Sequence, residues 1–103
     1  MKAISYRLFF KAIANDRRLA IVNLLKSKPR NVTEITKALR AKQPTISRSL
    51  KCLQDCGFIT VRRKGKEKIY ALEDKTVREC LNLIEKHLKR YKSHLVKCGI
   101  LKG

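Results

Sequence analysis

A short stretch in the middle of the chain carries polar side chains suited to reading nucleic-acid bases. Ile46, Leu50 and Leu53 recur at helical spacing, which predicts a helix with that side buried. The polar residues of the same stretch then face outward, mostly in the first two turns, where glutamine can read adenine and arginine can read guanine. An ordinary solvated helix face is the alternative. We expect DNA contacts from Lys42, Gln43, Thr45, Ser47, Arg48, Ser49 and Lys51.

A second group of candidate binding residues follows, crowded around Gly65. Its members are Arg62, Arg63, Lys64, Lys66 and Lys68. Such a cluster of positive charges is unfavourable in isolation and favourable beside phosphates. We therefore expect these side chains to contact the DNA backbone or the minor groove.

The overall charge points to the same kind of partner. Lysine and arginine number 26 against 8 acidic residues, a formal charge of +18 on 103 residues. A chain of this charge repels itself unless a polyanion or counterions neutralise it. Thermophilic proteins with lysine-rich solvated surfaces balance lysine with glutamate, and acids are scarce here. No run approaches the roughly 18 apolar residues of a membrane span, so we expect a cytoplasmic protein without a membrane partner.

Four helices are expected to position the first group. The first ends at about Ala14, and Asn15 or Asp16 caps a second that ends near Pro29. Val32, Ile35 and Leu39 mark a third helix, with Thr33 near its start. Pro44 suits the first turn of the fourth helix, and Gly57 ends it.

The hydrophobic period changes after Gly57. Residues 58–61 and 69–72 predict two β-segments around the basic turn, and Asp74 begins a long last helix. An apolar stripe on the order of 30 Å long runs along that helix and indicates a second copy as partner. The stripe consists of Val77, Leu81, Ile84, Leu88, Tyr91 and Leu95. The predicted fold is one domain, 1–103, mainly α with a small β-hairpin (α+β), in the order α-α-α-α-β-β-α.

Three segments carry a resemblance to a known family. They are A-N-D-R-R-L-A-I-V-N-L-L at 14–25, Q-P-T-I-S-R-S-L-K-C-L at 43–53 and D-C-G-F-I at 55–59. Together they resemble the winged helix-turn-helix repressors of the ArsR family, over about residues 8 to 91. The resemblance implies a helix-turn-helix at about 32–56, a wing at about 58–72 and a dimerisation helix at about 74–97. It also implies a homodimer built on the first and last helices, with Leu8 in the interface, that binds a pseudo-palindromic operator.

Two positions depart from the pattern of that family. Arg40 stands where the turn before the fourth helix commonly carries a glycine, so the turn must change its geometry or hold a strained arginine. Lys42 stands where a capping serine is usual, which predicts a poorly capped but more positive helix start.

No sensor site is evident among the cysteines and histidines. The Cys-x-Cys pair of metal-sensing relatives is replaced by Asn31 and Thr33, which cannot supply thiolates. Cys52 and Cys56 can bind a soft metal or respond to oxidants, but we interpret them as packing residues. No metal is predicted; the weaker candidates, spaced by seven along the last helix, are Cys80, His87 and His94. Cys98 can form an intersubunit disulfide in a dimer.

These observations favour a sequence-specific double-stranded DNA-binding transcriptional regulator, a repressor without a cofactor. Two alternatives stay open: a non-specific architectural DNA-binding protein, and a winged-helix module that binds RNA or an acidic protein. An enzyme is not expected, because the chain has no glycine-rich phosphate loop and only 2 histidines.

Overall fold

The structure, a computed structural model, describes residues 3–97. Its elements in chain order are α1 (Ala3–Ile13), α2 (Asp16–Ser27), β1 (Arg30–Asn31), α3 (Val32–Leu39), α4 (Gln43–Asp55), β2 (Ile59–Lys64), β3 (Glu67–Leu72) and α5 (Val77–Lys97). This order confirms the predicted fold class and adds the short strand β1. The chain forms two compact units, of which the first ends at Glu73 and the second begins at Asp74.

The first two helices meet at a capped junction. Asn15 precedes α2 as its N-cap, and its side-chain Oδ1 accepts the backbone N–H of Arg18 at 2.9 Å. The Arg18 side chain turns back and donates from Nε to the carbonyl oxygen of Ala12 at 2.6 Å. The predicted cap at Asn15 is confirmed, and Arg18 satisfies a carbonyl group at the end of α1 that the helix itself leaves without a partner.

Helix α3 starts from Asn31, two residues before the threonine expected near its start. The Asn31 Oδ1 accepts the backbone N–H of Glu34 at 2.8 Å, and the Glu34 carboxylate accepts the backbone N–H of Asn31 at 3.0 Å. This reciprocal pair is a capping box, an arrangement that stabilises a helix start by about 1 kcal/mol. Thr33 is the second residue of the helix and not its cap.

The strands form a three-stranded antiparallel sheet in the order β1-β3-β2. Ile59 pairs with Leu72 at one end of the hairpin, and Lys64 pairs with Glu67 at the other, so the connecting loop is only Gly65 and Lys66. Gly65 has a φ of 65°, which glycine adopts without steric cost. The strands therefore extend through most of the basic residues that the sequence assigned to the turn. This hairpin is the wing.

The core of the first unit lies between the helices and the sheet. Helix α2 packs against α3, α4 and β3, and α4 packs against β2. The largest fully buried side chains are Phe58, Ile21, Leu25, Ile35, Ile46, Leu50, Leu53 and Val22. The predicted buried stripe of α4 is thus confirmed. Phe58 joins the end of α4 to the wing, and its ring lies 4.8 Å from that of Phe9, centroid to centroid.

Helix α5 begins at Val77 rather than at Asp74. The Asp74 carboxylate instead accepts a hydrogen bond from Nε of Arg78 at 2.7 Å, across the first turn. Within the helix Tyr91 has non-helical angles, φ −108° and ψ 18°, so α5 is kinked there. Within residues 3–97, no helix is long and apolar enough to cross a membrane.

Candidate nucleic-acid interface

Helix α4 presents the predicted polar side chains on its outer face. Its inner face is fixed by Ile46, Leu50 and Leu53, each at most 1% exposed. Thr45 and Ser49 are half-buried, and the other candidates are exposed: Lys42, Gln43, Ser47, Arg48 and Lys51. Thr45 and Ser49 are thus partly covered by the rest of the unit, and the other five side chains are free to meet a ligand. A helix held by its apolar side, with these donors and acceptors outward, has the chemistry that base-edge contacts require.

The start of α4 is open and positive. Lys42 is the N-cap residue, and its side chain makes no capping hydrogen bond, as the sequence predicted. Pro44 is the second helical residue and has no amide hydrogen to satisfy. The free N–H groups of the first turn and the lysine charge together favour an anion, and a DNA phosphate is such an anion.

Lys51 forms an ion pair with an acidic residue of the same helix. Its Nζ lies 3.0 Å from Oδ1 of Asp55, one helical turn later. Both side chains are largely exposed, so the pair contributes little to stability and a phosphate can compete for the lysine.

The turn before α4 holds a non-glycine residue in the left-handed region. Arg40 has φ 51° and ψ 46°, the one positive φ outside glycine in the described part of the chain. Its neighbour Ala41 donates its N–H to the carbonyl oxygen of Thr36 at 3.2 Å, which closes α3. Of the two geometries that the sequence allowed, the structure has the strained arginine.

We expect Arg40→Gly to raise stability while weakening DNA binding. Glycine relieves a left-handed conformation that costs an arginine about 1 kcal/mol, partly offset by the greater freedom of glycine in the unfolded chain. It also removes one cation beside α4 from each copy. Thermal melts and binding titrations measure the two effects separately.

Arg40→Asn is the matched control, because asparagine tolerates the left-handed region and carries no charge. If both variants bound DNA as tightly as the parent, Arg40 would have no part in binding.

The wing carries its cations outward. All five predicted residues are exposed: Arg62, Arg63, Lys64, Lys66 and Lys68. The strand register places Arg63 directly opposite Lys68, and like charges in that position destabilise a hairpin. A phosphate group between or beside them reduces this repulsion. The charge arrangement of the wing therefore favours binding of a polyanion.

One carboxylate interrupts this basic surface. Glu67 pairs with Lys64 across the loop, and its Oε1 accepts a hydrogen bond from Nδ2 of Asn31 at 3.2 Å. Neither residue of that bond was predicted as a site residue from the sequence. The available signal was Asn31 followed three residues later by Glu34, the pattern of a capping box.

The residues predicted for a dimer interface differ in exposure. Leu8 is 58% exposed on α1, and the exposed members on α5 are Ile84, Leu88 and Tyr91, at 37%, 42% and 40%. Val77 and Leu81 are buried, and the side chain of Leu95 lies outside the described residues. Three further apolar side chains are exposed and were not predicted as interface residues: Tyr6 and Phe10 on α1, both 54% exposed, and Leu83 on α5, 60% exposed.

The cysteines and histidines do not assemble into a metal site in the part of the chain that the structure describes. Cys52 is half-buried, but Cys56 is exposed, so its interpretation as a packing residue is wrong. Partial desolvation and the neighbouring Cys52 raise the pKa of the Cys56 thiol, which lowers its reactivity at neutral pH.

On α5 the two histidines contact an aromatic ring. The rings of His87 and His94 lie 4.7 and 5.9 Å from that of Tyr91, centroid to centroid. Cys80 is a half-buried free thiol. Cys98, the candidate for an intersubunit disulfide, lies outside the described residues.

The chain matches known proteins in sequence. The family model described as bacterial regulatory protein, arsR family, matches residues 15–61. The probable mercury resistance operon repressor of Streptomyces lividans is 33% identical over 73% of this chain and 60% of its own length. The transcriptional repressor SmtB of Mycobacterium tuberculosis is 41% identical over 62% of this chain and 47% of its own. The chain thus spans about half of these relatives.

A shorter relative and two solved structures match over most of their length. The HTH-type transcriptional regulator MJ1325 of Methanocaldococcus jannaschii, itself uncharacterized, is 34% identical over 74% of this chain and 86% of its own. Rv0081 of Mycobacterium tuberculosis superposes with a TM-score of 0.80 at 29% identity, covering 93% of this chain and 99% of that one. The homodimeric winged helix-turn-helix DNA-binding domain Mb0332 of Mycobacterium bovis gives 0.80 at 29%, covering 87% and 83%. This chain belongs to the arsR family of bacterial regulatory proteins.

Proposed function

We propose that this chain is a sequence-specific transcriptional regulator of double-stranded DNA. It acts in the cytoplasm as a homodimeric repressor on a pseudo-palindromic operator. The observation that carries the proposal is the outer face of α4, where Gln43, Ser47 and Arg48 are exposed while the opposite face is locked into the core. The curated relatives include proteins named as repressors, which supports the direction of regulation.

Recognition divides between α4 and the wing. Gln43 can pair with the N6 and N7 groups of adenine, and Arg48 with O6 and N7 of guanine, while Thr45 offers a hydroxyl and a methyl group. The wing cations hold the backbone or the minor groove and carry little sequence information themselves. Contacts from α4 therefore read the bases, whereas contacts from the wing supply affinity with its salt dependence and hold α4 in register on the DNA.

Apolar surface that the chain leaves exposed supports the proposed dimer. Tyr6, Leu8 and Phe10 on α1, and Ile84 and Leu88 on α5, are between 37% and 58% exposed. Large apolar side chains in groups of this kind mark protein interfaces. The similar domain from Mycobacterium bovis is described as homodimeric, which supports a two-fold assembly here. Two copies of α4 then read two half-sites, about one helical turn of DNA or a multiple of it apart.

Selection of bound DNA from a random pool tests the proposal. An enriched inverted repeat would establish specificity, two-fold symmetry and half-site spacing together. A pool that binds without enrichment would contradict a sequence-specific regulator. A protein that does not bind duplex DNA at low salt would favour RNA or an acidic protein as partner.

Arg48→Ala is expected to weaken binding to the selected site by about 5- to 150-fold, corresponding to about 1–3 kcal/mol, and to relax preference at one base position. Loss of a bidentate contact to a base acts on one sequence, whereas loss of a phosphate contact acts on all. Titrations against the selected site and against single-base variants measure the difference. Arg17→Ala, at an exposed arginine of α2, is the matched control and should leave the preference unchanged.

A non-specific architectural function is the second candidate, favoured by the charge of α5. From residue 86 to 97 that helix carries five cations and no acidic residue: Lys86, Lys89, Arg90, Lys92 and Lys97. An architectural protein binds random DNA as tightly as any one site, whereas a regulator favours its site by about a thousandfold or more. In that case Arg48→Ala would weaken binding to all sequences alike. Under either function we propose that the chain is not an enzyme.

A further inference from the structure

A side-chain hydrogen bond joins the helix-turn-helix to the wing. The Nδ2 of Asn31 donates to Oε1 of Glu67 at 3.2 Å, although the two residues are 36 positions apart. The same region is joined by the backbone, where Asn31 pairs with Ile69 in the sheet. Both links lie at the start of α3, which in turn packs against α4.

Asn31 is held rigidly on the helix side of this bond. Its Oδ1 and its backbone N–H are both engaged with Glu34, at 2.8 and 3.0 Å. The remaining polar group of the side chain, Nδ2, is the one that reaches Glu67. A side chain fixed at several points loses little further freedom when it holds a partner, so the bond can orient Glu67 effectively.

Apart from this hydrogen bond, the negative charge of Glu67 is unfavourable on the basic surface of the wing. It lies between Lys66 and Lys68 in sequence and opposite Lys64 in the sheet, in a wing that we propose binds phosphates. A carboxylate there repels phosphate and reduces the net charge of the wing. Pairing with Lys64 explains part of its placement. Its bond to a capping residue of another element points to a second role.

We propose that Asn31 and Glu67 form a tether that sets the position of the wing relative to α3, and that Glu67 is a positioning residue for the DNA contacts of the wing. Arg63, Lys66 and Lys68 line the cleft between the wing and the first turn of α3, so their placement depends on the tether. This inference rests on the proposed function. Phosphate contacts of the wing fix the register of α4 on the duplex, although they read no bases themselves. We therefore expect that cutting the tether lowers affinity for the operator more than affinity for random DNA.

Comparison of Glu67→Ala with Glu67→Gln separates the tether from the charge. Both variants remove the same negative charge, but only glutamine keeps an oxygen that can accept the Asn31 hydrogen bond. We expect Glu67→Ala to lower the ratio of operator affinity to random-DNA affinity by about fivefold, which corresponds to the net free energy of one hydrogen bond. Glu67→Gln should change the same ratio by less than about twofold. Equal ratios in the two variants would overturn the proposal.

Exchanging the two partners provides a rescue test. Asn31→Asp keeps a capping oxygen for Glu34 but sets two carboxylates against each other, so the ratio should fall. Adding Glu67→Gln to that variant restores one amide donor and one carboxylate acceptor in exchanged positions. We expect the double variant to recover the ratio to within about twofold of the parent, because the bond is restored. Failure to recover would show that Asn31 acts only as a cap.

Amide hydrogen exchange of the free protein keeps this inference separable from the proposed function. Glu67→Ala should speed exchange at residues 64–68, whereas Glu67→Gln should not, because the wing is released only in the first. That result would support the tether even if no operator were found. Unchanged exchange in both variants would overturn it even if an operator were found.

Discussion

Raising the sodium chloride concentration from 50 to 200 mM is expected to weaken operator binding by about ten-thousandfold. The basis is a count of about eight phosphates neutralised per dimer, which gives a log-log slope of about −7 through counterion release. The structure is consistent with that count, because each wing has five exposed cations and each α4 starts with an exposed lysine. Fluorescence titration of the selected operator at four or five salt concentrations measures the slope.

The slope should become shallower by a fixed amount for each wing cation that is removed. Lys66→Gln removes one cation at the loop from each copy, so the dimer loses two contacts and the slope should become shallower by about 2. The matched control is Lys86→Gln, at an exposed lysine of α5 that is not among the proposed DNA contacts. This variant should leave the slope within about 0.5 of the parent. A parent slope close to zero would remove the electrostatic part of the proposal.

Phe58→Ala is expected to be the most destabilising single substitution of the core, lowering the free energy of unfolding by about 3–5 kcal/mol. Phe58 is fully buried, and within residues 3–97 its side chain is the largest that is fully buried. Its ring contacts Phe9 of α1, while its backbone N–H donates to Leu53 of α4 at 2.9 Å. A cavity there therefore loosens α1, α4 and the wing together. Most of the stability of a typical small domain would be lost.

Urea denaturation followed by circular dichroism measures this loss. Phe58→Leu is the graded control, because it keeps most of the volume and should cost less than about 1.5 kcal/mol. Thr60→Ala, an exposed position on β2, should change stability by less than about 0.5 kcal/mol. A Phe58→Ala protein as stable as the parent would mean that the side chain is not the centre of the core.

Hydrophobic period and turn residues were sufficient to predict most of the fold. Ile46, Leu50 and Leu53 show a clear helical period, and Gly57 and Gly65 stand where the chain needs positive φ. The recognition face followed directly, because a helix with one face buried must expose the other. The strained Arg40 was also among the predicted alternatives, since the turn requires a conformation that side chains disfavour.

Features made by contacts between distant residues could not be predicted. Strand β1 is only two residues long and has no period of its own; it exists because Arg30 and Asn31 pair with β3. The tether between Asn31 and Glu67 joins segments 36 residues apart, and no local pattern indicates it. The kink at Tyr91 lies in an unbroken apolar stripe without proline or glycine, so it has no signal in the sequence.

The order of the sheet has a consequence for the protein when no DNA is bound. Strand β2 lies at an edge, with no strand on its far side within residues 3–97. An open edge of this kind can accept a strand from another molecule and so begin aggregation. Three consecutive cations, Arg62, Arg63 and Lys64, occupy its outer half and repel the same edge of a second molecule. The positive strand thus keeps concentrated protein dispersed, and this protection weakens as ionic strength rises.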